Sequence, residues 1–230
     1  MAQTHDAPDG GIRGRFRAQV RSEVKQAALR QLAEGGPQAL SINAIGKELG
    51  VSGPALYRYF ASRDDLLTEL VVDAYHDLAT ALAAATRRAR RLSPPKRFRA
   101  FAGAYRDWAN AEPHRYRLLF TAPLPGYDAQ SDRLVTASRE AMIVLLEVLT
   151  DLEPENSKRD VNPLDDQLDR WSRSRDLADI PPSLALRAII TWSRLHGLVS
   201  LEIEGNFASM GLDPELLFDA EVTAILSPQT

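Results

Sequence analysis

Residues 41–67 read SINAIGKELGVSGPALYRYFASRDDLL. Two short helices are written here, with a glycine turn between them. Ser41 offers a side-chain oxygen to cap the first. The apolar face of that helix is Ile42, Ile45 and Leu49, and Gly50 breaks it. Ser52 caps the second helix, and Pro54 falls in its first turn, where backbone amides lack intrahelical partners in any case. Leu56 and Phe60, four apart, face the same way. Ser62-Arg63-Asp64-Asp65 is a capping-box-like start to a further, long helix. Two helices joined by three or four residues including a glycine make a helix-turn-helix. The turn is Leu49-Gly50-Val51-Ser52.

That spacing suits duplex DNA. The major groove, about 12 Å wide, admits one α-helix, whose first turn reaches the base edges. The outward side of the second helix (53–60) shows Gly53, Pro54, Ala55, Tyr57, Arg58 and Tyr59. Small residues at its N-terminal end let the backbone approach the bases. Hydroxyl and guanidinium groups bond phosphate or guanine, and the helix carries no acid to repel phosphate. Short capped helices also occur in enzyme lids and bundles, so spacing alone leaves that reading open.

Working outward, helical periodicity continues in both directions. Phe16, Val20, Val24, Ala28 and Leu32 recur every four residues and define a first helix, stopped by Gly35-Gly36-Pro37. The long fourth helix runs through Leu66, Leu70, Val71, Ala74, Leu78 and Leu82 toward Arg91, and Ser93-Pro94-Pro95 ends it. Further helices are expected over 96–110, 113–121, 131–152 and 181–210, the last closed by Gly211, and from Asp213-Pro214 to near Leu226. The polar stretch 153–179 carries at most one weak helix, over 164–174. No strand signal or internal repeat is visible. The expected fold is all-α. A flexible arm (1–14) precedes a three-helix DNA-binding domain (15–78, helix-turn-helix about 41–60) and a larger helical regulatory and dimerisation domain (79–230).

The chain has 230 residues, 44% of them hydrophobic and 26% charged, with no cysteine. That composition is ordinary for a soluble globular protein. The missing cysteines exclude disulfide frameworks, cysteine-based zinc sites, iron–sulfur clusters and thiol nucleophiles. No run approaches the ~18 uncharged apolar residues of a membrane span, and 1–14 lacks the apolar core of a secretory signal. The expected address is the cytoplasm, with no membrane partner. The net charge of −3 conceals an asymmetry. Residues 13–30 hold six bases (Arg13, Arg15, Arg17, Arg21, Lys25, Arg30) and one acid, whereas 200–230 hold six acids and no base. A basic beginning fits a nucleic-acid contact or a solvated helix face. A second cluster, seven bases over 87–99, reads as a solvated helix end and loop.

The segment AIGKELGVSGPALYRYFASRDDLL resembles the DNA-binding segment of the tetracycline-repressor (TetR) family of bacterial transcriptional regulators. The likeness extends over some 60 residues, to about Tyr75. It implies that Ser41 bonds a phosphate and that Ser52, Gly53, Pro54 and Ala55 face bases or phosphates. Tyr57 and Tyr59 would contact phosphate or sugar, and Tyr57 also a thymine methyl. Arg58 would meet a base or a phosphate. Arg63 occupies the place of a phosphate-binding lysine of the family, whereas position 53, often lysine there, is glycine here. Leu40, Ile42, Ile45, Leu49, Val51, Leu56 and Phe60 would form the three-helix core. Arg13, Arg15 and Arg17 would be an arm reaching the minor groove or a disordered one.

The helix over 181–210 is apolar almost all round, so it must be covered on both sides. The resemblance implies that an identical subunit covers one of them, through the last two long helices. Ala188, Leu195, Val199, Val222 and Ile225 are the expected interface, and Gly197 suggests a closely passing backbone. TWSRLHGLVSLEI (191–203) and EPHRYRLLF (112–120) are similar to a tryptophan–histidine–glycine subfamily of C-terminal domains. Tyr105, Trp108, Tyr116, Phe120, Met142, Trp192 and His196 are candidates to line a small-molecule cavity, each with the alternative of being simple core. His196 reads as a ligand contact or switch, or as a buried histidine bonded within the packing.

The implied function is a dimeric, ligand-responsive repressor bound to a palindromic operator. The alternative is a DNA-binding regulator with no small-molecule ligand, controlled by a protein partner. The histidines (His5, His76, His114, His196) form no metal-binding or catalytic spacing, and there is no phosphate loop or nucleophile elbow. No catalytic residue, metal or cofactor is expected.

Overall fold

The computed structural model describes residues 11–120, 127–128, 131–152, 163–177 and 180–227. Among these every regular element is a helix. The chain forms two compact units, Met1–Val71 with Phe120–Tyr127, and Val72–Leu119 with Asp128–Thr230.

In the first unit, α1 (Ile12–Gly35) buries Val24, Ala27, Ala28 and Leu32. It begins at Ile12, so Ile12, Arg13 and Gly14 belong to a helix and not to the expected flexible arm. The stretch contains no proline, and its one early glycine, Gly14, costs only about 1 kcal/mol against alanine. Once nucleated, each added residue gains a backbone bond, the first being Arg15 N–H to the Gly11 carbonyl at 3.1 Å. The expected apolar stripe is only partly buried. Val24, Ala28 and Leu32 are core, Val20 is half-buried, and Phe16 is 66% exposed. Gly36, at φ +67°, ends the helix by donating to the Leu32 carbonyl at 2.9 Å, and a 3-10 turn follows at Pro37–Ala39.

Next come α2 (Ile42–Glu48) and the one-turn α3 (Gly53–Leu56). Gly50 sits at φ +67°, where a side chain would be strained. Gly46 is the closer constraint. A Cβ there would lie 2.7 Å from the Val51 carbonyl oxygen, and the Val51 amide donates to the Gly46 carbonyl at 2.8 Å. The turn backbone after Gly50 therefore folds back against α2 at Gly46. Leu40, Ile42, Ile45, Leu56 and Phe60 are buried as expected, while Leu49 and Val51 are half-buried at the rim. Burying a side chain such as Phe60 contributes about 1.5–3 kcal/mol.

Helix α4 (Arg63–Arg88) opens as the sequence indicates. The Ser62 hydroxyl accepts from the Asp65 amide at 3.0 Å, and the Asp65 carboxylate accepts from the Ala61 amide at 3.0 Å. Its first nine residues belong to the first unit and the rest to the second. It stops at Arg88, short of the expected Arg91.

The second unit continues through α5 (Pro94–Ala111), α6 (Pro113–Phe120, of which Phe120 itself falls in the first unit), α7 (Asp132–Thr150), α8 (Asp165–Ser174), α9 (Pro182–Ile203), α10 (Asn206–Ser209) and α11 (Pro214–Leu226). Helix α9 is central and packs against α5, α7, α8, α10 and α11. It is shorter than expected because Gly205, at φ +73°, turns the chain into α10, which buries Phe207. Glu202 ties α9 to α5 by accepting two bonds from Arg106, both 2.8 Å, and a third from Asn110 at 3.0 Å. The Asp213 carboxylate caps α11 by accepting from the Glu215 amide at 2.8 Å. No helix among the described residues is long and apolar enough to cross a membrane.

Candidate nucleic-acid interface

Within the first unit, α2, the glycine turn and α3 form a small platform on the buried Ile45, Leu56 and Phe60. Ser41 caps α2, its hydroxyl oxygen accepting from the Ala44 amide at 3.3 Å, and its own amide donates to Gln31 at 2.9 Å. The hydroxyl proton remains available to an acceptor. Ser52 stands at the N-cap of α3 in backbone terms, but its side chain makes no capping bond. It is exposed, so the sequence-based capping role is not observed. Pro54, Tyr57 and Arg58 are exposed, and Gly53, Ala55 and Tyr59 are half-buried.

Gly53 lies beside the flexible side chain of Asn43. A Cβ at 53 would lie 2.5 Å from Oδ1 of Asn43. Asn43, exposed on α2, therefore leans over the start of α3. An amide there has the donor–acceptor pair that adenine recognition uses. The sequence reading missed Asn43, because nothing local to it signals that it meets α3.

Arg63 is half-buried, and its guanidinium donates to the Pro37 carbonyl. One donor of the expected phosphate contact is thus spent holding the 3-10 turn to α4.

The basic run of α1 divides into two groups. Arg21 pairs with Glu69 at 2.6 Å and Lys25 with the same carboxylate at 3.0 Å. Arg30 pairs with Glu48 at 2.6 Å. Arg21 also donates to the Tyr59 carbonyl, and its guanidinium stacks 4.5 Å over the Phe60 ring. These three bases brace the first unit, and Arg21 holds the chain just after α3. Burial alone would raise the Glu69 carboxyl, but bonds and charge from Arg21 and Lys25 outweigh it and hold the pKa at about 2. Arg13, Arg15, Arg17 and Arg58 have no carboxylate partner among the described residues.

Two family profiles match the chain. One, described as "Bacterial regulatory proteins, tetR family", matches residues 26–70, and the other, "Tetracyclin repressor-like, C-terminal domain", matches residues 98–225. The chain belongs to the TetR family. The HTH-type transcriptional regulator Mb1846 of Mycobacterium bovis is 30% identical, the match covering 94% of this chain and 95% of that one. An uncharacterized HTH-type regulator of Mycobacterium tuberculosis, Rv0681, is 29% identical over 93% and 88%. The crystal structure of the regulatory protein SCO4313 is similar at 42% identity with a TM-score of 0.79, covering 95% of this chain and 100% of that one. This TetR-family protein is a DNA-binding transcriptional regulator, and its fold is the family's, an N-terminal helix-turn-helix with a helical C-terminal domain.

In the second unit, the structure brings together four of the seven residues expected to line a cavity in this TetR-family protein. Tyr105 donates to the Tyr116 hydroxyl at 3.5 Å, and that hydroxyl lies 2.7 Å from Nδ1 of His196. The Tyr116 and Trp192 rings each stack on the His196 ring, at centroid distances of 5.7 and 5.6 Å. Burial, then Tyr116, pushes the Tyr105 hydroxyl well above its ordinary pKa. Burial pushes Tyr116 up to about 12 and holds His196 below its ordinary value. Trp108 is committed elsewhere: its indole donates to Asp77 at 3.0 Å, and Arg115 lies over its ring. Met142 is half-buried on α7, and Phe120 belongs to the first unit.

The five residues expected at a dimer interface need correction. Ala188, Leu195, Val199, Val222 and Ile225 are all buried within the single chain, Leu195 at 2% exposure. Neighbouring helices of the same unit already cover that face of α9. The outward stripe of α9 is Ile190, Arg194, Gly197 and Leu201, on which Ile190 and Leu201 are large exposed apolar residues. A Cβ at Gly197 would meet open space, so no backbone of the described chain passes close there. On α11, Leu216 is 68% exposed.

Proposed function

We propose that this TetR-family regulator acts as a homodimeric repressor in the cytoplasm, binds an imperfect palindrome, and is released by a small molecule held in its helical unit. The observation that carries the DNA half is the acid-free face from Ser52 to Arg58, exposed on a buried core and braced by Arg21. In this reading Ser41, Ser52, Gly53, Pro54, Ala55, Tyr57, Arg58, Tyr59 and Arg63 meet the duplex, and Asn43 joins them. Two such faces must sit ~34–36 Å apart to enter successive major grooves.

Dimerisation falls to the outward stripes of α9 and α11, around Ile190, Leu201 and Leu216, in place of the buried residues beneath them. The effector contacts fall to Tyr116, Trp192 and His196, where the half-buried His196 ring lies between the Trp192 indole and the buried Tyr116 phenol. An effector favouring a conformation with another spacing shifts the population and lowers DNA affinity.

Selection from a random duplex pool with the purified full chain tests this. An enriched inverted repeat supports the dimeric reading, and an enriched single half-site contradicts it. The enriched duplex then serves as probe for metabolites that displace it.

A further inference from the structure

The first turns of α1 and the end of the recognition segment enclose an open cleft of about 440 Å³, lined by Ile12, Arg13, Phe16, Arg17, Arg58 and Tyr59. Arg13 and Arg17 are four apart, so they share one side of α1. Arg58 comes to the same cleft from beyond α3. Among the described residues no carboxylate lines it. None of the three arginines has an acidic partner among the described residues, although Arg21, one turn further along α1, is fully paired. Ile12 and Phe16 are among the most exposed large apolar side chains of the chain, at 79% and 66%.

We infer that this cleft seats the sugar–phosphate backbone of DNA beside the base pairs that α3 faces, with Arg13, Arg17 and Arg58 on phosphates and Ile12, Phe16 and Tyr59 against deoxyribose. The inference rests on the DNA-binding reading and sharpens it. Arg58 becomes a phosphate contact and not a base reader, and α1 becomes part of the interface. The chemistry matches the occupant. A phosphate needs cationic donors without competing acids, and a deoxyribose presents apolar edges that the hydrocarbon walls cover. Three guanidinium groups with no carboxylate partner among the described residues, around an apolar floor, are poorly suited to a neutral small molecule.

The test is the salt dependence of binding by the full-length protein, measured by fluorescence anisotropy on a random-sequence 30-base-pair duplex and on a selected repeat. Each phosphate contact contributes about 0.9 to the slope of log K against log salt. Arg13→Ala/Arg17→Ala flattens the slope by about 1.8 per protomer, and Arg58→Ala by about 0.9. Between 50 and 200 mM KCl, each lost contact shrinks the change in Kd by about 3- to 4-fold. The loss is equal on both duplexes, and Arg13→Lys/Arg17→Lys restores the slope.

Arg87→Ala/Arg88→Ala, which removes the same charge from exposed positions in the other unit, leaves the slope unchanged; equal flattening there overturns the inference, since net charge alone would then explain the effect. A loss for Arg58→Ala confined to the selected repeat also overturns it, because Arg58 would then read a base. An unchanged slope with dissociation of the dimer overturns it in favour of a protein interface. Wild-type protein that binds neither duplex defeats the DNA-binding reading itself. Wild-type binding with an unchanged slope in the arginine variants defeats this inference alone.

Discussion

The Tyr116 hydroxyl lies 2.7 Å from Nδ1 of His196 and donates to the His196 backbone carbonyl at 3.2 Å, joining α6 to the centre of α9. One phenol thus meets the side chain and the main chain of the same residue. Tyr116→Phe removes both contacts and should cost about 1–3 kcal/mol of stability, the usual penalty for stranding a buried polar group. Because burial holds His196 below its ordinary value of 6.5, its neutral form contributes stability above that pH, and this is lost as pH falls through the folded value. A proton NMR titration of the His196 ring should give a midpoint below 6.5. A midpoint at or above it would show that the ring is not desolvated as described.

Glu69 should govern the acid stability of the first unit. Its carboxyl is held at about 2, against an ordinary 4.5, so its contribution is complete above 4.5 and disappears as pH falls from there toward 2. After allowance for solvent screening the effect is about 1–2 kcal/mol. Urea unfolding of Glu69→Gln should show lower stability than wild type at neutral pH and a shallower loss between those two values. Parallel pH curves for the two proteins would contradict the brace.

Ser41 and Ser52 look alike in sequence and differ in structure. Ser41→Ala should lower stability by about 1 kcal/mol through loss of its cap and also weaken DNA binding. Ser52→Ala should leave the melting temperature within error and weaken only DNA binding, since its hydroxyl caps nothing. Thermal melts paired with anisotropy on one duplex separate the two outcomes. A matching stability loss in Ser52→Ala would mean that its hydroxyl does cap α3.

Leu195 and Leu216 separate core from interface. Leu195→Asp places a charge in the packed interior of the second unit and should unfold it, at a cost above about 3 kcal/mol. Leu216→Asp should leave the fold intact and yield monomers in sedimentation velocity. Intact dimers of Leu216→Asp would move the interface off the exposed end of α11.

The helix-turn-helix was legible because its signals are local. The cap at Ser41, the left-handed glycine at 50, the proline in the first turn of α3 and the Ser62–Asp65 start of α4 each act within a few residues. The same reading placed α9 but could not choose its faces. With apolar side chains all round, its buried stripe depends on α5, α7, α8 and α11, which approach from distant parts of the sequence. Leu195 and Val199 therefore went inward where an interface was expected.

Charge divided the same way. Sequence alone determined that 13–30 is basic, because composition is additive along the chain. Only the tertiary structure decided which of those charges remain available. Glu69 and Glu48 reach Arg21, Lys25 and Arg30 across helix contacts, whereas no described carboxylate reaches Arg13 or Arg17. Helical caps and turns are short-range and can be read in order along the chain. Pairing and burial are set by residues that meet only once the chain has folded.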